Sequence, residues 1–295
     1  SALQIRIRGS RSLTATNDPL VVLDGIPFVG SINEINNDDI KSIDILKDAS
    51  ATAIYGSRAA KCVISIFTNR GEKGQKAKIT YNGRQSINTI FSKYPMMEGP
   101  EFVALRAASA RYTNGPDEFD DMNTDWQDLC FRNGFQASHD ISLSGGTTNG
   151  SYNFGLGYLR DQGVIPTNRF TRYSLRGAID QEVGKYFMFG FNTNSNYNQT
   201  EGNQVGLYGV LSLSPISDPY NTDGTFKRVI RMTLDNQFNY TRSIVEGLED
   251  EWLSQSRGYS TYNSIYGEVK IPWIQGLKYR FTLGLDFMQD NNGSF

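Results

Sequence analysis

Residues able to carry bond chemistry are few and scattered in this chain. His139 is the sole histidine, followed by Asp140. An imidazole beside a carboxylate is part of a nucleophile-activating arrangement, and zinc needs three or four convergent donors. No convergent partners can be placed for either role, so His139 reads as a surface or lumen residue. The acidic groups Asp38-Asp39, Asp120-Asp121 and Glu249-Asp250-Glu251 could hold calcium or run carboxylate chemistry. They lack EF-hand spacing and fall in loop-like stretches, where solvated charge is the simpler reading. Cys62 and Cys130 have neither metal-ligand nor Cys-x-x-Cys spacing and read as unpaired. Gly145-Gly146 is followed by no helix that would make it a phosphate loop. No catalytic residue, cofactor or metal site is expected.

Charge and composition narrow the classes further. Lys and Arg total 29 against 31 Asp and Glu, a net charge of −2 that provides no nucleic-acid footprint. Only 38% of the 295 residues are hydrophobic, yet 12% are aromatic. That is too aromatic for a disordered tail and too polar for a helical membrane protein. The longest apolar run, Leu20–Leu23, stops at Asp24, far short of a spanning helix. Spanning by strands stays open. The chain opens at Ser1 without a basic or apolar leader, and Leu3–Arg8 reads as a strand already under way.

Two textures divide the chain into residues 1–72 and 73–295. The first reads as mixed α/β. Gln4–Arg8 and Ser42–Leu46 alternate with period two, Pro19–Leu23 is a buried strand ending in the Asp24-Gly25 turn signal, and Val63–Thr68 is a further strand. Ala49–Gly56 switches to small, helix-tolerant residues closed by Gly56. Gly71–Lys76 is a polar linker.

From Ala77 onward, strands of about ten residues alternate strictly, and their apolar side is aromatic. In Leu277–Phe287 every odd position is apolar; Tyr152–Tyr158, Tyr173–Ile179, Phe187–Phe191, Ile79–Tyr81, Ile141–Leu143 and Ile265–Ile271 repeat the pattern. Texture alone fits a soluble β-sandwich as well as an outer-membrane barrel. Loop lengths separate them. The connections near 92–134 and 198–257 are long, that at 161–169 is intermediate, and those at 146–150, 181–184 and 272–276 are tight. Short turns at one end and long loops at the other belong to a barrel. The expected fold is thus an antiparallel transmembrane β-barrel, incomplete at seven strands, with a small mixed α/β domain before it. An even number of strands is needed to close such a barrel, so a longer protein is expected.

In a barrel, Phe187, Phe189, Phe191, Phe281, Phe287 and Leu285 face lipid. Arg172, Arg176, Lys278 and Arg280 then face the lumen, where they either pair with carboxylates of the inner domain or merely keep the wall soluble. Glu98–Arg111 has helix composition within the first long loop. Sugar-stacking aromatics would lie in the long loops, among Trp126, Tyr220, Tyr240 and Trp252.

Three runs carry a resemblance: Ile5–Leu13, Asn17–Pro27, and Ile40–Arg58 with its Leu-Lys-Asp-Ala-Ser-Ala-Thr-Ala-Ile-Tyr-Gly string. They resemble the plug domain of SusC/RagA-family TonB-dependent outer-membrane transporters. His139–Gly146, Tyr158–Pro166 and Arg172–Asp180 look like the family's early barrel strands. The resemblance implies a 22-stranded barrel filled by the plug, a SusD-like lipoprotein lid, coupling to a TonB-ExbB-ExbD complex, and a Bacteroidetes-type Gram-negative outer membrane with its lipid. The family's signal peptide, N-terminal extension, TonB box, first plug segment and most of the barrel are not in this sequence. One departure is Ala60-Lys61-Cys62-Val63, where the family has Ala-Asn-Gly-Val, a better tight-turn sequence.

The expected function is import of a bulky oligosaccharide or peptide, gated by plug displacement. A ligand-sensing receptor without transport and a truncated, non-importing copy are the alternatives. Lys47, Asp48, Tyr55 and Gly56 are expected to lock the plug, through weak ion pairs from the first two and Tyr55 packed beneath Val63–Ile66.

Overall fold

The computed structural model describes residues 19–28, 30, 32, 35, 39–46, 63–109, 113–165, 168–202, 207–227, 229–232, 254–274 and 276–294. Among the described residues four short strands come first: β1 (Leu20–Leu23), β2 (Ile26–Pro27), β3 (Ile40–Leu46) and β4 (Val63–Thr68). They form one sheet in the order β2-β1-β4-β3, with β1 and β4 parallel and the other pairs antiparallel. The β1–β2 hairpin turns at Asp24 (φ 49°) and Gly25 (φ 92°), the left-handed pair that an Asp-Gly two-residue turn requires. Val22 and Val63 are wholly buried, and Ile64 and Ile66 nearly so. The expected strand at Gln4–Arg8, the helix at Ala49–Gly56 and the Lys61-Cys62 turn lie outside the described residues.

The second sheet begins after the polar connection 69–77. Its elements are β5 (Lys78–Asn88), α1 (Gly99–Ser109), α2 (Trp126–Cys130), β6 (Gly134–Gly146), β7 (Gly150–Gln162), β8 (Arg169–Val183), β9 (Phe187–Glu201), α3 (Leu207–Leu211), β10 (Ser254–Lys270) and β11 (Lys278–Ser294). The seven strands pair antiparallel in chain order, and the sheet is not closed. Short connections join β6–β7, β8–β9 and β10–β11 at one end, and the two long loops lie at the other.

Unbroken register carries one parity across all seven strands, so each row of residues faces one side. Phe189, Phe281 and Leu285 lie on the outward face, each about half exposed. One outward row runs Gly83–His139–Tyr158–Tyr173–Tyr197–Tyr259–Gln289. His139 stacks between Tyr81 and Tyr158, its Nδ1 2.7 Å from the Tyr81 hydroxyl. This row is an aromatic belt near the long-loop end; Tyr186 and Trp273 sit exposed in the short turns opposite. From Tyr173 to Val183 the strand advances about 33 Å, or about 25 Å at a tilt of ~40°, which matches the apolar band of an outer-membrane barrel. No outward strand position from the belt to the short-turn end carries a charge.

Strands and alternation do not end together. β11 runs on through Asn291–Ser294, and β10 starts at Ser254 rather than near residue 258. Beyond the belt both faces meet water, so pairing continues while the apolar–polar alternation fades.

Candidate functional site

The first sheet lodges against the inner face of the second. Phe28 packs on Tyr262 of β10, ring centroids 4.4 Å apart, and extends the core of Ile35, Ile64 and Ile66 onto the wall. Around this contact the seam is polar. Arg176 of β8, on the inner parity and 5% exposed, forms an ion pair with Asp39. The Asp39 carbonyl in turn accepts the Asn69 amide at 2.8 Å, and the Asn69 carbonyl accepts Asn153 Nδ2 of β7 at 2.9 Å.

A second knot centres on Arg70. Its Nη1 donates to Asp180 Oδ2 at 3.4 Å and to the Tyr266 hydroxyl at 3.2 Å, and its Nη2 lies 3.8 Å from Asp24. Tyr266 donates to the other Asp180 oxygen. Asp24 also accepts from the Thr68 amide and hydroxyl, at 3.0 and 2.7 Å, which ties the β1–β2 turn to the end of β4. Tyr266 reaches Asp180 two strands away because Gly190 lies between them on β9: a Cβ there would occupy the space of the phenol ring.

Each lumen-assigned cation has a definite place. Arg176 meets the plug directly. Arg280 lies 3.8 Å over the Tyr266 ring and lines a cleft with Asp24, Lys41, Asp44 and Phe67. Lys278 pairs with Glu268 of the neighbouring strand at 3.3 Å and is more than half exposed. Arg172 is half-buried on the inner parity, within reach of the Asp140 charge. Lys47, Asp48, Tyr55 and Gly56 lie outside the described residues. Asp39, read from sequence as solvated loop charge, is instead buried against Arg176, and sequence reasoning gave no such role to Asp24, Arg70, Asp180 or Tyr266. One signal was available: Tyr262 and Tyr266 are large aromatics on the polar parity of their strand, a break in pattern that marks contact with something inside.

Between this seam and β5–β7 a polar cavity of about 320 Å³ is lined by Asp39, Asn69, Glu72, Asp140, Ser142 and Asn153. The plug therefore meets part of the wall across a gap large and polar enough for water.

The two long loops fold together as a second feature. Trp126, Cys130, Val210, Leu213, Ile230 and Met232 form their core, and Trp126 Nε1 donates to the Ser214 carbonyl at 2.8 Å. Trp126 is 5% exposed, so it anchors the loops and offers no face to a sugar. Tyr220 packs on Phe226, and Tyr240 and Trp252 lie outside the described residues. Burial pushes the Cys130 thiol up to about 11, which leaves it inert. The helix expected at Glu98–Arg111 is α1; its Arg106 forms a bidentate pair with Glu118 at 2.8 and 3.1 Å, and the Glu118 side chain is wholly buried.

This pair makes the loops acid-sensitive. Burial pushes the Glu118 carboxyl up, but hydrogen bonds from Arg106 and the Gly115 amide outweigh it and leave the group below the ordinary glutamate range. A lowered folded value means that its contribution is complete above the unfolded value of about 4.3 and is lost as pH falls through the folded one. Arg106→Met removes the counter-ion of a buried carboxylate and is expected to cost about 3–5 kcal/mol. Hydrogen exchange over residues 99–130 should rise in that variant at pH 7, and in the parent only on acidification; Glu118→Gln should be milder.

A small sheet seated on the inner face of an amphipathic, membrane-height antiparallel wall defines a plugged outer-membrane barrel. Residues 1–63 match the TonB-dependent receptor plug domain. The chain is 34% identical over 248 residues to the TonB-dependent receptor SusC of Bacteroides thetaiotaomicron, covering 78% of this chain and 24% of that one. It is 30% identical over 308 residues to the TonB-dependent receptor P3 of Formosa agariphila, covering 99% and 29%. In fold it is similar to the RagAB peptide importer in its 'open-open' state, with TM-score 0.84 and 24% identity over 99% of this chain and 36% of that one. The chain belongs to the SusC/RagA family of TonB-dependent receptors, and it spans about a quarter of the length of the curated relatives it matches.

Proposed function

We propose that the protein imports a bulky nutrient, an oligosaccharide or a peptide, across a Bacteroidetes-type outer membrane, and that the polar seam is what a pull on the plug must part. In this reading a SusD-like lipoprotein closes over the long loops, and a TonB-ExbB-ExbD complex supplies the force. TonB-dependent transporters move cargo without bond chemistry, so the seam has a mechanical role. Both cargo classes are those the family resemblance implies, and the peptide class is also the one named for a fold neighbour.

The observation that carries the reading is how the seam is made. Apart from Phe28 on Tyr262 and Ile26 against Gly284 of β11, the contacts of the seam are hydrogen bonds and ion pairs beside a cavity with room for water. Such links are individually modest, about 0.5–1.5 kcal/mol for a neutral hydrogen bond and roughly 1.5–3 kcal/mol for one to a charged group. They can be exchanged for water as the plug moves, whereas a dry apolar seam would have to be exposed. Arg70→Ala with Tyr266→Phe in the full-length receptor should remove the second knot. The expected result is severalfold greater sensitivity to a large antibiotic normally held out by the membrane, with altered nutrient uptake. Unchanged leakage and unchanged uptake would show that this knot is ordinary plug packing.

A further inference from the structure

We infer that the outward rim just above the tyrosine belt binds a phosphate-bearing glycolipid of the outer leaflet, held by Arg160 and Arg257. The inference rests on the barrel crossing the outer membrane with its long loops outside, and not on the import reading.

The first observation is a charge imbalance. The outward row above the belt runs Ala137–Arg160–Thr171–Gln199–Arg257–Asn291, and the next runs Phe135–Gln162–Arg169–Glu201–Gln255–Gly293. These two rows hold three arginines and a single acid. Glu201 is fully engaged: it pairs with Arg169 at 3.1 Å and accepts from Gln199 and Gln255. Arg160 and Arg257 have no acidic partner among the described residues, although both sit where the wall meets headgroups.

The second observation is what lies beneath them. An apolar recess of about 560 Å³ opens on the outward face, lined by His139, Ile141, Leu156, Tyr158, Tyr173 and Tyr259. Arg160 stands two residues beyond Tyr158, and Arg257 two before Tyr259, so both lie on the outward parity one row above the recess, on strands β7 and β10. Three strand steps separate them, about 14 Å, a span that two long side chains can close over one phosphorylated sugar headgroup. Guanidinium groups grip phosphate through paired N–H donors, and the recess lies at the depth of acyl chains. An acidic protein would meet the arginines but leave the recess below them empty. A glycolipid fills both.

The test uses the full-length receptor purified from outer membranes in mild detergent, with barrel folding checked by heat-shifted gel mobility. Native mass spectrometry and phosphate assay read the lipid retained. Intact and dephosphorylated lipopolysaccharide from the same membrane are then titrated back. Arg160→Gln with Arg257→Gln should bind the intact glycolipid about tenfold or more weakly than the parent, since both positive charges facing the anionic headgroup are removed. Arg160→Lys with Arg257→Lys should recover part of the loss, and the dephosphorylated lipid should bind the parent as weakly as it binds the glutamine variant. Equal retention by parent and glutamine variant would overturn the inference. So would retention indifferent to phosphate, or loss of a co-purifying protein in place of lipid. Nutrient uptake by the same variants reports on import separately.

Discussion

Truncation of Arg176 to alanine should loosen the plug from the wall by roughly 3 kcal/mol, the low end of the range for breaking a buried ion pair from one side. Arg176 is 5% exposed and Asp39 8% exposed, so losing the guanidinium strands a carboxylate that water reaches only through the neighbouring cavity. That access is why the low end applies. Asp39 also anchors Asn69 through its backbone, so its displacement should propagate to the Asn69–Asn153 contact. The expected readouts in the full-length receptor are a lower midpoint of thermal unfolding and leakage of a large antibiotic. Arg176→Met with Asp39→Leu separates stability from release. Replacing both partners by apolar groups is often neutral or stabilising, so the double variant should recover the unfolding midpoint. It should also import poorly, because a dry contact no longer exchanges with water. If the double variant leaks as much as Arg176→Ala, the pair matters for shape and not for charge.

Gly190→Ala is expected to have an effect of similar size although it adds a single carbon. That carbon would stand where the Tyr266 ring now lies, against the backbone of a central strand that cannot move aside. Expelling the ring combines overpacking, about 1–3 kcal/mol, with loss of a buried hydrogen-bond partner for Asp180, about 1–3 kcal/mol more. Arg70 and Arg280 would lose the ring and hydroxyl they now share. Leakage should resemble that of the Arg70→Ala, Tyr266→Phe variant. Tyr266→Ala introduced beside Gly190→Ala removes the clash, so the combined penalty should fall well short of the sum. Additive penalties would mean that the glycine serves some other purpose.

His139 shows how strand position decides between the surface and lumen readings that residue type leaves open. As the sole histidine, next to an aspartate, it is the natural candidate for acid–base work, yet parity turns it outward into a row of tyrosines while Asp140 faces the lumen. Adjacent residues on a strand point to opposite faces, so the two cannot act together. Trp126 is a similar case. A loop aromatic suggested a sugar platform, and the tertiary structure makes it the anchor that holds two loops together.

What the sequence determined by itself was everything that rests on local periodicity. Alternation with aromatic outward positions, tight turns at Gly-rich sites and long loops at the opposite end specify an amphipathic barrel wall strand by strand. The inner parity of Arg172, Arg176, Lys278 and Arg280 follows because a period of two leaves only two faces. Tertiary structure alone decided which of those inner residues do something. Sheet register across the β10–β11 hairpin sets Arg280 over Tyr266 and gives Lys278 to Glu268, whereas plug placement brings Arg176 to Asp39, over a hundred positions away in the chain. No pattern within a ten-residue window contains that distance. The strands' outer ends were hidden for a related reason: above the membrane both faces are wet, so hydrogen-bonded pairing continues after the hydrophobic signal that reveals it has stopped.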